Sequence, residues 1–225
     1  PLYDESNRGD GYISLEVSPT LAHDTEGTIA DARRYFAAVD RPNVMIKVPA
    51  TPAGVPAIRT LIGEGINVNV TLIFSLDQYE AIAKAYIEGL QDYAAKDGDV
   101  SKVASVASFF VSRVDAAVDA ELEKAGNTEL QGKIAIANSK LAYARFKELF
   151  SGDDWEALAE KGATAQRVLW ASTSTKNPDY PDTLYVDSLV GAHTVNTVPP
   201  ATLDALQDHG TASDTIEDGM DEAKS

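Results

Sequence analysis

Short apolar runs rich in β-branched residues alternate along this chain with stretches whose apolar residues recur at helical spacing. The runs are YISLEV (12–17), NVMIKV (43–48), INVNVTLIF (66–74), KVASVASFFV (102–111), RVLWA (167–171) and HTVNTV (193–198). Between them the spacing predicts helices over 24–39, 52–63, 76–93, 115–124, 130–150, 154–161, 184–189 and 202–207. The local signals agree: His23-Asp24-Thr25-Glu26 is a capping signature, Ser75 can cap 76–93, Gly65 stops 52–63, and Pro199 and Pro200 open the last helix. Strands separated by helices demand right-handed crossovers and a parallel sheet. A doubly wound sheet and a (β/α) barrel both satisfy this. Neither G-x-G-x-x-G nor G-x-x-x-x-G-K-[ST] follows any run, which favours the barrel. A closed barrel of this class has eight strands, so the expected fold is α/β, a partial (β/α) barrel with about six of eight strands. No repeat or linker is visible, and 1–225 is expected to form a single domain.

The chain is 44% hydrophobic and 24% charged over 225 residues, enough for a sizeable core. No apolar run reaches about 18 residues, and no membrane span is expected. The polar start PLYDESNRGDGY lacks the pattern of a signal peptide. Without cysteine there can be no disulfide, thiolate metal site or cysteine nucleophile, and a cytoplasmic location is expected. The net charge of −16 repels nucleic acid and anionic membranes, so neither is an expected partner. A phosphate site would need local Lys or Arg. The chain opens on Pro1 and closes on the uncapped, helix-like DTIEDGMDEAKS, which reads as a piece of a longer protein.

Lys47 is the residue that most invites chemistry. It sits inside Val44-Met45-Ile46-Lys47-Val48, where alternation places it with Met45 on one face. Parallel barrel strands are buried on both faces, and burial favours a neutral amine able to attack a ketone carbonyl. A strand-end lysine reaching solvent, or a structural ion pair, stays open. Glu16 holds a similar place near the end of the preceding run, where it could shuttle protons through a water or form a salt bridge with Lys47. Asn69 and Thr71 share a face of the next strand and could meet substrate hydroxyls or a water; backbone bonding by Thr71 is the plainer reading. Ser108 and Arg113, in ASFFVSR, and Lys176, in WASTSTKNP, could give a phosphate a hydroxyl donor and two positive charges. For the cations, a solvated surface position is the alternative.

Five segments, GYISLEVSPTLAHDT, RPNVMIKVPAT, GINVNVTLIFSLDQY, SVASFFVSRVD and LWASTSTKNPDYPDTLYVDSLVGAHTVNTVPPATLDA, resemble transaldolase, particularly its actinobacterial form. The resemblance implies a class I, Schiff-base barrel enzyme of the pentose phosphate pathway with no metal or organic cofactor. Such enzymes move a dihydroxyacetone unit from sedoheptulose 7-phosphate to glyceraldehyde 3-phosphate, giving erythrose 4-phosphate and fructose 6-phosphate. By the family pattern Lys47 forms the Schiff base, and Glu16 assists through a water that Thr71 helps to hold. Asn69 contacts the dihydroxyacetone moiety, while Ser108 and Arg113 match phosphate-side residues. Lys176 stands where many members carry a basic phosphate ligand, in a loop of different length.

The family has two strands before GYISLEV, one bearing an aspartate for carbon–carbon cleavage and one a Thr-Asn-Pro segment, and it has a further C-terminal helix. With those segments lacking here, open strand edges are expected, and with them poor stability or activity of this exact chain. Two other readings stay open: a related Schiff-base aldolase, and a non-catalytic sugar-phosphate binding protein. The sequence does not decide oligomeric state.

Overall fold

The computed structural model describes residues 1–224; Ser225, which closes the helix-like C-terminal stretch, lies outside the described residues. The strands are β1 (Ile13–Glu16), β2 (Val44–Pro49), β3 (Val68–Ile73), β4 (Ser105–Phe110), β5 (Arg167–Ala171) and β6 (Thr194–Asn196). The helices are α1 (Leu2–Glu5), α2 (Thr25–Val39), α3 (Gly54–Ile62), α4 (Leu76–Ala94), α5 (Ser112–Lys124), α6 (Ile134–Leu149), α7 (Asp153–Ala159), α8 (Leu184–Asp187), α9 (Pro200–His209) and α10 (Met220–Lys224). Five of the six sequence runs contain a strand whole and the run 43–48 holds all of β2 but Pro49; the strands follow one another in chain order in one sheet. The pairs β1–β2, β2–β3 and β5–β6 are parallel. This is the strand order of a (β/α) barrel, and among the described residues it runs from β1 to β6 without closing.

The chain divides into two compact units, Pro1–Ile73 with Glu80–Ala107 and Glu148–Gln166, and Phe74–Tyr79 with Ser108–Lys147 and Arg167–Ser225. In the first, α2 starts where the capping signature predicts: Asp24 accepts a hydrogen bond from the Gly27 amide at 2.9 Å. Its buried stripe, Thr28, Ile29 and Ala32, has the 3.6-residue period of a helix packed on one side. The first position of α3, Gly54, admits no side chain, because a Cβ there would lie 2.0 Å from the Pro49 carbonyl oxygen. Val44, Ile46 and Val48 of β2, and Val68 and Val70 of β3, are buried together with Ala57, Ile58, Leu61 and Ile62 of α3. Asn67 ties the strand starts: its amide nitrogen donates to the Pro42 and Val44 carbonyls at 2.9 and 3.1 Å, and its oxygen accepts from the Ala104 amide at 2.8 Å.

β1 departs from the expectation that parallel strands are covered on both faces. All four of its residues are exposed, Ile13 at 69% and Leu15 at 37%, and it ends the strand order. An edge strand with apolar side chains in solvent is the liability the sequence led us to expect.

In the second unit, Phe109 packs edge-to-face with Tyr79 and Trp170, at centroid distances of 6.4 and 6.2 Å. The indole N–H of Trp170 donates to the Leu189 carbonyl at 2.8 Å. Helix α5 begins three residues earlier than the periodicity predicts. The Val111 and Ser112 amides donate to the Ala171 and Ser172 carbonyls at 2.9 and 3.0 Å, which pins the helix start to the end of β5. Helix α6 begins later than predicted, after Gly132 turns the backbone at a φ of +73°. No helix among the described residues is long and apolar enough to cross a membrane.

Candidate active site

The register of the first unit sets three of the candidate residues in a row. Glu16 lies beside Lys47 across β1 and β2, and Lys47 beside Asn69 across β2 and β3. Neighbours in register share a face of the sheet, so these side chains converge, and Thr71, two residues after Asn69, joins them. The Lys47 ammonium nitrogen, Nζ, stands 3.5 Å from Glu16 Oε2. The Asn69 amide nitrogen reaches across β2 to donate to Ser14 Oγ at 2.9 Å. Ser14 therefore belongs to this face, a residue the sequence reading passed over. Its signal was there: it precedes Glu16 by two positions in ISLE, and so lies on the same side.

At the amine the structure shows the alternative that the sequence left open, an ion pair that reaches solvent. Met45, Val48 and Asn69 are buried, but the Lys47 side chain is 29% exposed and that of Glu16 49%. The cause is β1, whose exposed edge leaves its end of the row open to solvent. An ion pair this exposed contributes about 1 kcal/mol or less to stability.

Thr71 is the polar group on this face whose needs the described residues do not meet. It is 1% exposed, and its hydroxyl oxygen has no hydrogen-bond partner among the described residues. The plainer reading, a threonine bonded to backbone, therefore fails. A buried hydroxyl without a partner costs about 1–3 kcal/mol. The next residue, Leu72, holds a φ of +61°, in the left-handed region that side chains with a Cβ avoid. Such backbone persists where its surroundings over-determine it, and it clusters at functional sites. An amine beside a carboxylate, with an amide and a buried unpartnered hydroxyl on the same face, can bind a polyhydroxylated carbonyl compound. It can also move protons during attack on the carbonyl.

The other three candidates belong to the second unit. Ser108 is 2% exposed in β4. Arg113 is the second residue of α5, its side chain on the surface with the guanidinium 4.9 Å over the Phe110 ring. Lys176 is exposed in the loop after β5, its ammonium donating to Ser174 Oγ at 2.8 Å. That loop is fixed at its start: Ser172 and Ser112 share a hydroxyl hydrogen bond of 2.9 Å, and Thr173 donates to Asn196 Oδ1 at 2.8 Å.

Residues 5–225 match the family model described as Transaldolase/Fructose-6-phosphate aldolase. A protein named transaldolase from Trichodesmium erythraeum is 52% identical over 235 residues, covering 100% of this chain and 62% of its own length. One named transaldolase 2 from Nostoc punctiforme is 50% identical over 99% of this chain and 62% of its own length. Transaldolase 1 of Streptomyces avermitilis is 54% identical over the whole chain, which bears out the actinobacterial-type resemblance. The chain spans about three fifths of the length of these relatives, 60% to 62%. With a matching family model across nearly its whole length and a sheet in the order that a (β/α) barrel requires, this chain belongs to the transaldolase/fructose-6-phosphate aldolase family.

Proposed function

We propose that this chain supplies the Schiff-base machinery of a cytoplasmic transaldolase that works without metal or organic cofactor. Lys47 Nζ attacks the ketose carbonyl to give a carbinolamine, and loss of water gives the imine. Glu16 takes up and returns the protons of these steps through a water that also bonds to Thr71 Oγ1. Asn69 hydrogen-bonds a hydroxyl of the dihydroxyacetone unit, and Ser108, Arg113 and Lys176 bind a substrate phosphate as hydroxyl donor and cations. The unit passes from sedoheptulose 7-phosphate to glyceraldehyde 3-phosphate, releasing erythrose 4-phosphate and fructose 6-phosphate. One observation carries this reading: the in-register row of Glu16, Lys47 and Asn69 beside a buried hydroxyl with no partner among the described residues.

The test is a product assay on the intact gene product with sedoheptulose 7-phosphate as donor. Erythrose 4-phosphate and fructose 6-phosphate should appear when glyceraldehyde 3-phosphate is added, and Lys47→Arg should abolish both. The matching family description also covers an aldolase. Release of free dihydroxyacetone from fructose 6-phosphate at a comparable rate would favour that reading, and no turnover of either substrate would contradict both.

A further inference from the structure

Two carboxylates on one face of α5 hold two tyrosines of the segment that follows β5, and nothing in the chemistry above uses them. Asp115 and Asp119 are one helical turn apart. Asp115 is buried and accepts from the Ala135 amide at 2.7 Å and from the Tyr185 hydroxyl at 2.8 Å. Asp119 repeats the pattern nearer the surface, accepting from the Gly132 amide at 3.1 Å and from the Tyr180 hydroxyl at 2.6 Å. Asp115 thus joins the first turn of α6, and Asp119 the turn before it, to the segment after β5. The inner pair serves the core. The outer pair is half-buried, and its short, charge-assisted bond is directed at a loop.

That loop carries Lys176. On its upstream side it is fixed at Thr173 by the bond to Asn196. Downstream, the Tyr180 amide closes a turn on the Asn177 carbonyl at 3.2 Å, and the Tyr180 side chain then anchors the turn to Asp119. Lys176 therefore lies between two anchors, one in β6 and one in α5. Helix α5 also bears Arg113 in its first turn. A single rigid element thus presents one cation and tethers the loop that presents the other.

We propose that Asp119 and Tyr180 are positioning residues that hold the Lys176 loop in the form competent to bind a substrate phosphate. This rests on the reading of Lys176 as a phosphate ligand. A loop ordered before binding loses less conformational freedom on binding, and affinity rises accordingly. The gain appears in the binding of phosphorylated ligands and not in the covalent steps at Lys47.

The experiment uses the intact gene product, with inorganic phosphate as a competitive inhibitor and fructose 6-phosphate as the phosphorylated donor. Tyr180→Phe removes one oxygen and leaves the ring in place. It should raise the KM for fructose 6-phosphate and the inhibition constant for phosphate by about tenfold, with kcat changed less than about twofold. Asp119→Asn, whose amide can still bond the tyrosine oxygen, should retain most of the affinity, whereas Asp119→Ala should match Tyr180→Phe. In a Lys176→Ala background Tyr180→Phe should have no further effect. If Lys176→Ala leaves both constants unchanged, the phosphate-ligand reading fails and this inference with it. If Lys176→Ala weakens phosphate binding but Tyr180→Phe does not, or the two losses simply add, the positioning role is overturned while the ligand reading stands.

Discussion

Removing the Asp115 carboxylate should be among the most damaging single changes in the second unit. Asp115→Ala strips the acceptor from two buried donors, the Tyr185 hydroxyl and the Ala135 amide; Tyr185 and Ala135 are each 1% exposed. Each unsatisfied donor costs about 1–3 kcal/mol, and relief of a buried charge offsets part of this, so the expected loss is about 3 kcal/mol. In urea that lowers the midpoint by roughly 1 M for a protein of this size. Asp115→Asn is the informative contrast. Its amide can accept from Ala135 and donate to the tyrosine oxygen, so the cost should stay within about 1.5 kcal/mol.

The two variants should also differ with pH. Burial raises the Asp115 carboxyl above its ordinary range, against the opposing pull of its two hydrogen bonds. A carboxyl whose pKa is raised by folding binds its proton more tightly in the native state. Its contribution to stability is complete below the unfolded value of about 3.9 and is lost as pH climbs through the folded value. Asparagine does not titrate. The Asn variant should therefore gain on the natural protein as pH rises from about 4 toward neutrality. Trp170 lies in the same unit, and its fluorescence provides the signal. An Asp115→Ala variant within about 0.5 kcal/mol of the natural protein, or an Asn variant that loses ground as pH rises, would refute this account of the carboxylate.

Two further outcomes follow from the geometry. Thr71→Val deletes a hydroxyl with no partner among the described residues, so stability should hold or rise slightly, while formation of the borohydride-trappable adduct should slow about a hundredfold; a large loss of stability with normal trapping would place the hydroxyl in a structural role. We also propose that the chain folds as one partial-barrel domain, which can be followed because Trp155 lies in one compact unit and Trp170 in the other. Trp155→Phe and Trp170→Phe variants should each give one transition, at matching urea midpoints after correction for each substitution's own effect, and separated midpoints would contradict the single domain.

The strands were legible because their chemistry is local. The β-branched run around Val68 and Val70, and the apolar run around Ile46, have few alternatives to a buried strand, and Asp24 marks the start of α2 by a bond to a residue three positions away. The facing of Glu16 and Lys47 was also legible, since two residues at like positions in consecutive parallel strands meet once the register is set. What escaped the sequence depends on distant partners. β4 was expected from residue 102, but Asp99 accepts from the Ser101 amide and folds Val100–Lys102 into a 3-10 turn, delaying the strand to Ser105. The bonds of Asp115 to Tyr185 and of Asp119 to Tyr180 span 70 and 61 residues, and an isolated acidic residue on a helix reads as a solvated charge. Ser14 could have been found by extending the Glu16 face back by two residues.

We propose that the amine of Lys47 bonds covalently to a ketose. The intact gene product should be incubated with fructose 6-phosphate, reduced with borohydride, digested and sequenced by tandem mass spectrometry. A reduced sugar-phosphate adduct on the peptide containing Lys47, absent from Lys47→Arg because a guanidinium forms no imine, is the predicted result. An adduct on another lysine, or labelling that persists in Lys47→Arg, would contradict it.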